Sequence, residues 1–349
     1  MLGSIITIII VMTVVTTSAS YAAINRSAFL ASGSPTTESS QVGGSLSWSP
    51  SADYPTEVWT QSCVASGGYG YCVGGLAGAE GSPGITGAVY YAPLTRTGAG
   101  PWTATTSYPE GIRSESCVVP PGSAGATIYC VGGYNSSAVT TDVYFAPLSP
   151  SGVGAWTKTT GYPLAVWIHS CAASSDGVYC VGGETPDQAS TDAVYFAPYS
   201  STGLGPWTST TSYPVPVRQE SCVTTGGDLY CIGGYQSTSV FFAPLTASGV
   251  GAWTNTTVYP FKVGANLLSC TTVGEAVYCV GGHTGPDVSS AVYHAQLSRS
   301  GVGPWVAAAN YPLAVWGESC VTSGGGIYCT GGETASGNLT SSASYALAS

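Results

Sequence analysis

Apolar residues in this chain come in short runs, such as "SCV", "DLYCI" and "VFFAPL" between residues 221 and 245, and each run stops at glycine, proline or a Ser/Thr pair. Runs of that length bounded by turn residues predict short strands joined by tight turns. The runs also recur. Tyr-Pro stands at Tyr54, Tyr108, Tyr162, Tyr213, Tyr259 and Tyr311, spaced by 46 to 54 residues. Every copy continues with Ser-Cys, a turn, a Tyr-Cys or similar triplet, Gly-Gly, an aromatic run like "VYFAPL" and a glycine-containing loop ending in Trp. Each copy therefore predicts four strands: a through Ser-Cys, b through Tyr-Cys and Gly-Gly, c through the aromatic run, and d from the Trp onward.

A four-stranded antiparallel unit repeating at this period predicts a propeller blade, since one such sheet cannot bury both faces until neighbours pack against it. The expected fold is all-β, a six-bladed β-propeller with four antiparallel strands per blade. The residues resemble the kelch family of β-propellers in Gly74, Gly75, Tyr90 and Trp102, repeated as Gly132, Gly133, Tyr144 and Trp156 and as Gly182, Gly183, Tyr195 and Trp207. The likeness spans residues 45–349. It departs from the family in two ways: 12 residues separate the strand-c aromatic from the Trp in all five complete copies, and every copy carries a cysteine pair. The resemblance implies a kelch-like fold but no particular function, because one fold hosts many activities. The sixth copy ends at "SYALAS" with no Trp of its own, whereas Trp48 precedes Tyr54-Pro55 as Trp102 precedes Tyr108-Pro109. The N-terminal segment is therefore expected to supply strand d of the last blade and to remove the free edges of an open array.

The twelve cysteines pair in order as Cys63 with Cys72, Cys117 with Cys130, Cys171 with Cys180, Cys222 with Cys231, Cys270 with Cys279, and Cys320 with Cys329. Five pairs are nine residues apart, around turn centres such as Gly67-Gly68, Gly226-Gly227 and Gly324-Gly325. Glycine suits the positive φ of type I′ and II′ hairpins. Counting outward from the turn puts the cysteines in the fourth opposed pair. That pair is not hydrogen-bonded, so its Cα atoms approach to about 4.5 Å, within a disulfide's span. Six intrablade disulfides are expected. Zinc is the rival reading, yet zinc sites gather ligands at spacings such as C-x2-C and these pairs fall on six blades; no metal or cofactor is expected. So many disulfides point to an extracellular or cell-surface location, as do glycosylation sequons at Asn25, Asn135, Asn255 and Asn338.

Charge narrows the partners. Only 7% of the 349 residues are charged, and Lys plus Arg number seven against 17 Asp plus Glu. That leaves no basic patch for a phosphate backbone, so nucleic acid is not an expected partner. Residues 1–22 hold no charged side chain and end in the small-x-small triplet Ser20-Tyr21-Ala22. Their apolar stretch from Ile5 to Val15 is nearer a signal-peptide core than a spanning helix. Residues 1–22 are expected to be a signal peptide, or alternatively a membrane anchor or filament-forming helix. Residues 23–44 read as a Ser/Thr/Gly-rich linker and 45–349 as the propeller.

Candidate binding residues gather ahead of strand a. Four positions before its cysteine stand Trp59, Arg113, Trp167, Arg218, Asn266 and Trp316, and two before it stand Gln61, Glu115, His169, Glu220, Leu268 and Glu318. Alternation along the innermost strand is expected to turn both sets toward the central channel. Glu184, His283 and Glu333 follow the Gly-Gly on the same face, where the b–c connections vary most in length. A rim of Trp, Arg, Gln and Glu can stack on and hydrogen-bond a sugar, or take a peptide of matching charge. The alternative is Trp packing between blades with Arg and Glu paired around the axis. The expected function is a non-catalytic binding or structural interaction module for glycan, peptide or protein, self-association included. The competing reading is an extracellular carbohydrate-active enzyme using Glu115, Glu220 and Glu318, whose spacing shows no carboxylate pair of the kind glycosidases need.

Overall fold

The structure, a computed structural model, describes residues 46–348 except 79–82, 123–125 and 262. The expected export segment 1–22, the linker 23–44 and the sequon at Asn25 lie outside the described residues. Gly44–Ser349 group as one compact unit. Among the described residues every regular element is a strand.

The first copy shows the repeating unit. Ser62–Ser66 pairs with Tyr69–Val73, which pairs with Val89–Thr95, which pairs with Thr103–Ala104, all antiparallel. Six such sheets, this one included, lie along the chain. Burial explains their composition. Strand b is buried on both faces, as in Val178–Val181, so it reads as a continuous apolar run. In the first five sheets strand d is exposed and only two residues long, as in Thr157–Lys158. In the sixth sheet the fourth strand is Trp48–Pro50, lying antiparallel to Ala343–Leu347 with Trp48 opposite Ala346.

All six expected disulfides are present, with Cα–Cα distances of 4.0 to 4.1 Å. The register follows from the turns: Gly67 and Gly68 hold φ of 57° and 81°, as a type I′ hairpin requires, and set Cys63 opposite Cys72. Six disulfides in one chain fit an oxidising environment.

Hydrogen bonds join each copy to the one before it. The amide of Cys117 donates to Ser62 Oγ at 2.9 Å, that of Cys171 to Ser116 Oγ at 2.8 Å, and so on to Cys320 and Ser269. On the outer side, Trp156 Nε1 donates to the Thr106 carbonyl at 3.2 Å, and Trp48 makes the equivalent bond to Ala309 at 3.0 Å. Apolar clusters span the same joints, as where Tyr71 and Val73 pack with Ile128 and Ala146.

Candidate functional site

The residues ahead of strand a form two tiers rather than one face. Thr60, Ser114, Ile168, Gln219, Leu267 and Gly317, three positions before each cysteine, all hold φ between 46° and 64°. A left-handed residue interrupts the alternation that was expected to carry both candidate sets on one strand face. Backbone hydrogen bonds between copies hold this conformation: Ser114 N–H donates to the Thr60 carbonyl at 3.0 Å, Ile168 to Ser114 at 3.0 Å, and Thr60 to Gly317 at 3.0 Å.

The lower tier is a polar pit. Gln61, Glu115, His169, Glu220, Leu268 and Glu318 are buried and line one cavity of about 100 Å³. Each joint is tight because glycine lies beneath the side chain. A Cβ on Gly281 (φ +61°) would sit 2.6 Å from Glu318 Oε1, and one on Gly74 (φ +63°) 3.1 Å from Glu115 Oε1. Gln61 Nε2 donates to the Thr330 carbonyl at 2.8 Å. The Gln61 Oε1, both carboxyl oxygens of each glutamate and both His169 nitrogens have no hydrogen-bond partner. Burial pushes Glu115 and Glu220 up to about 8 and Glu318 well above the usual carboxyl range. The backbone amides of Glu115 and Ser62 pull the Glu115 carboxyl the other way, without offsetting the effect of burial. Burial also draws His169 down to about 4. Burial therefore favours the uncharged form of all four groups.

The upper tier is a rim of short antiparallel ladders between the residue four before the cysteine and the residue after Gly-Gly. Arg113 faces Tyr134, Trp316 faces Glu333, Trp167 faces Glu184, and Asn266 faces His283. Contacts then run between copies. The Trp59 and Trp316 rings lie 5.0 Å apart, and His283 lies 5.1 Å from Trp316. The Arg113 guanidinium sits 4.8 Å from the Trp167 ring and 5.1 Å from Tyr134. Arg218 lies 4.2 Å from the Tyr235 ring and pairs with Glu184. Neither arginine pairs with a pit glutamate. Tyr134 and Tyr235 were not singled out from the sequence, although they hold the same position after Gly-Gly as Glu184, His283 and Glu333.

Among the described residues, the one group of three possible metal ligands within 4.8 Å is His169 with Cys171 and Cys180, whose sulfurs are bonded to each other. The glutamate oxygens do not converge in this way. Of the described sequons, Asn255 and Asn338 are exposed. Asn135 donates to Glu110 Oε2 at 2.9 Å and accepts from the amides of Ser137 and Ala138.

Fold and site define an all-β protein of repeated antiparallel sheets with a propeller-like architecture. The solved structure titled "Structure of YjhT", which has a propeller-like fold, is similar at a TM-score of 0.68 and 15% identity, covering 84% of this chain and 96% of that chain. At that identity the likeness concerns the fold alone. No family model matches the chain, and no curated protein matches it.

Proposed function

We propose that this protein is an exported, six-bladed, kelch-like propeller, closed by its N-terminal strand, whose b–c and d–a face is a non-catalytic glycan-binding surface. Bonds from first copy to last support closure: Cys63 to Ser319, Thr60 to Gly317 and Tyr328 to the Thr95 carbonyl at 2.7 Å. The observation that carries the binding reading is the half-buried aromatic rim, where the Trp59 and Trp316 rings gather with His283 and the Trp167 ring lies under the Arg113 guanidinium. Flat aromatic faces next to hydrogen-bonding groups suit a sugar ring, apolar on its faces and polar at its edge.

Hydrolysis fits the pit less well. Glycosidases pair a carboxylic acid with an ionised carboxylate, and burial pushes all three pit glutamates toward the protonated form. A glycan array probed with wild-type protein and with the Trp59→Ala, Trp167→Ala, Trp316→Ala triple variant tests the reading. Retention by the wild type and loss in a variant that melts normally is expected. Equal retention by both would remove the rim as the binding surface.

A further inference from the structure

The two rim arginines stand at equivalent places, four before the strand-a cysteine, and differ in what neutralises them. Arg218 pairs with Glu184, the residue after Gly-Gly in the preceding copy. That contact between copies recurs around the rim: Tyr134 meets Trp167 at 5.5 Å and His283 meets Trp316 at 5.1 Å, each time the residue after Gly-Gly against the next copy. For Arg113 the corresponding residue is Leu76, which brings no charge. Among the described residues no carboxylate pairs with Arg113.

The Arg113 guanidinium is nonetheless held in place. It lies 5.1 Å from the Tyr134 ring and 4.8 Å from the Trp167 ring, contacts that fix a planar cation without neutralising it. Its Nε is buried, whereas its two terminal nitrogens are not, and they bond to no described residue. A guanidinium presents its donors in a rigid fork that matches two oxygens of a carboxylate or sulfate, and a fork already positioned loses less freedom when the anion arrives. In a chain with 17 Asp plus Glu against seven Lys plus Arg, a half-buried arginine left without a carboxylate is an open anion position. We propose that Arg113 anchors the carboxylate or sulfate of an acidic sugar, so that the glycan taken by this face is a charged one. This rests on the glycan-binding reading of the rim and adds the substituent it selects.

A glycan array presenting uronate glycans beside their methyl esters, and sulfated glycans beside their desulfated forms, tests it at neutral pH and low salt. Each pair keeps the same sugars and linkages and changes only the charge; the two pairs separate carboxylate from sulfate. The wild type is expected to retain the acidic member at least about tenfold better in one of the pairs, as a bidentate charge-assisted contact gives. Arg113→Gln is expected to bring the acidic member down to the level of its neutral partner. Leu76→Glu, which offers Arg113 the carboxylate that Glu184 offers Arg218, is expected to do the same with the arginine in place, and it serves as the test where Arg113→Gln does not fold. Equal retention of acidic and neutral members by the wild type overturns the anchor, as does an acidic preference that persists in either folded variant; retention of neutral glycans that is lost in the triple tryptophan variant leaves the rim reading standing. Retention of none of these glycans by the wild type overturns both.

Discussion

The amide of Cys63 donates to the hydroxyl of Ser319 at 3.0 Å, across 256 positions of sequence, repeating the bond each other strand-a cysteine makes to the copy before it. The Ser-Cys dipeptide thus has two tasks: the serine ties neighbouring copies and the cysteine locks its own hairpin. Ser319→Ala leaves the Cys63 amide without its acceptor. The expected loss is about 1 kcal/mol, read as a lower denaturant midpoint at unchanged slope; an unchanged midpoint would show the bond to be dispensable.

Trp48 completes the last sheet from the opposite end of the chain. Its indole donates to Ala309 and meets Tyr311 edge-on at 5.0 Å, as Trp102 meets Tyr54 at 5.1 Å in the first copy. Trp48→Ala is expected to cost about 2–3 kcal/mol from lost packing and the lost bond, and deletion of residues 45–50 more. Thermal melting checks both, and an undisturbed melting point in the deletion would sink closure by the N-terminal strand.

Buried acids set the pH dependence. Glu115 and Glu220 are raised in the folded state from 4.5 to about 8. Their contribution is therefore fully present below about pH 4.5 and is lost as pH rises toward 8. His169 is lowered from 6.5 to about 4, so its contribution is present above 6.5 and is lost as pH falls toward 4. Two acids outweigh one histidine above pH 4.5, so the melting temperature is expected to be highest near pH 4.5 and to decline as pH rises toward 8. The Glu115→Gln, Glu220→Gln variant should flatten that alkaline decline; scanning fluorimetry across pH would refute the assignment if the decline were unaltered.

Two glycines of equal φ separate backbone strain from crowding. Gly226 and Gly281 both hold φ of +61°, yet a Cβ on Gly226 meets nothing within 4 Å, whereas one on Gly281 meets the Val315 carbonyl and Glu318 Oε1 at 2.6 Å. Gly226→Ala is expected to cost about 1 kcal/mol for the left-handed conformation alone, and Gly281→Ala at least about twice that. Equal losses in urea unfolding would mean that the pit wall yields.

What the sequence made legible is what spacing encodes. Turn glycines set the register of Cys63 against Cys72, and Trp48 ahead of Tyr54-Pro55 announced the strand that completes the last sheet. The two-tier site was hidden because Thr60, Ser114, Ile168 and Leu267 are ordinary residues with no mark of positive φ. Hydrogen bonds from copies about 50 residues away impose that conformation, and it separates Trp59 on the rim from Gln61 in the pit. Tyr134 and Tyr235 escaped notice because the position after Gly-Gly varies in type from Leu76 to Glu333 while its place in the fold is constant.

Binding at the tryptophan face is tested most directly by hydroxyl-radical footprinting with and without a glycan retained on the array. Protection of Trp59, Trp167 and Trp316, with Tyr69 on an a–b hairpin and Val306 on an outer strand unchanged, is the predicted result. Protection of Tyr69 or Val306 with the three tryptophans still reactive would contradict it.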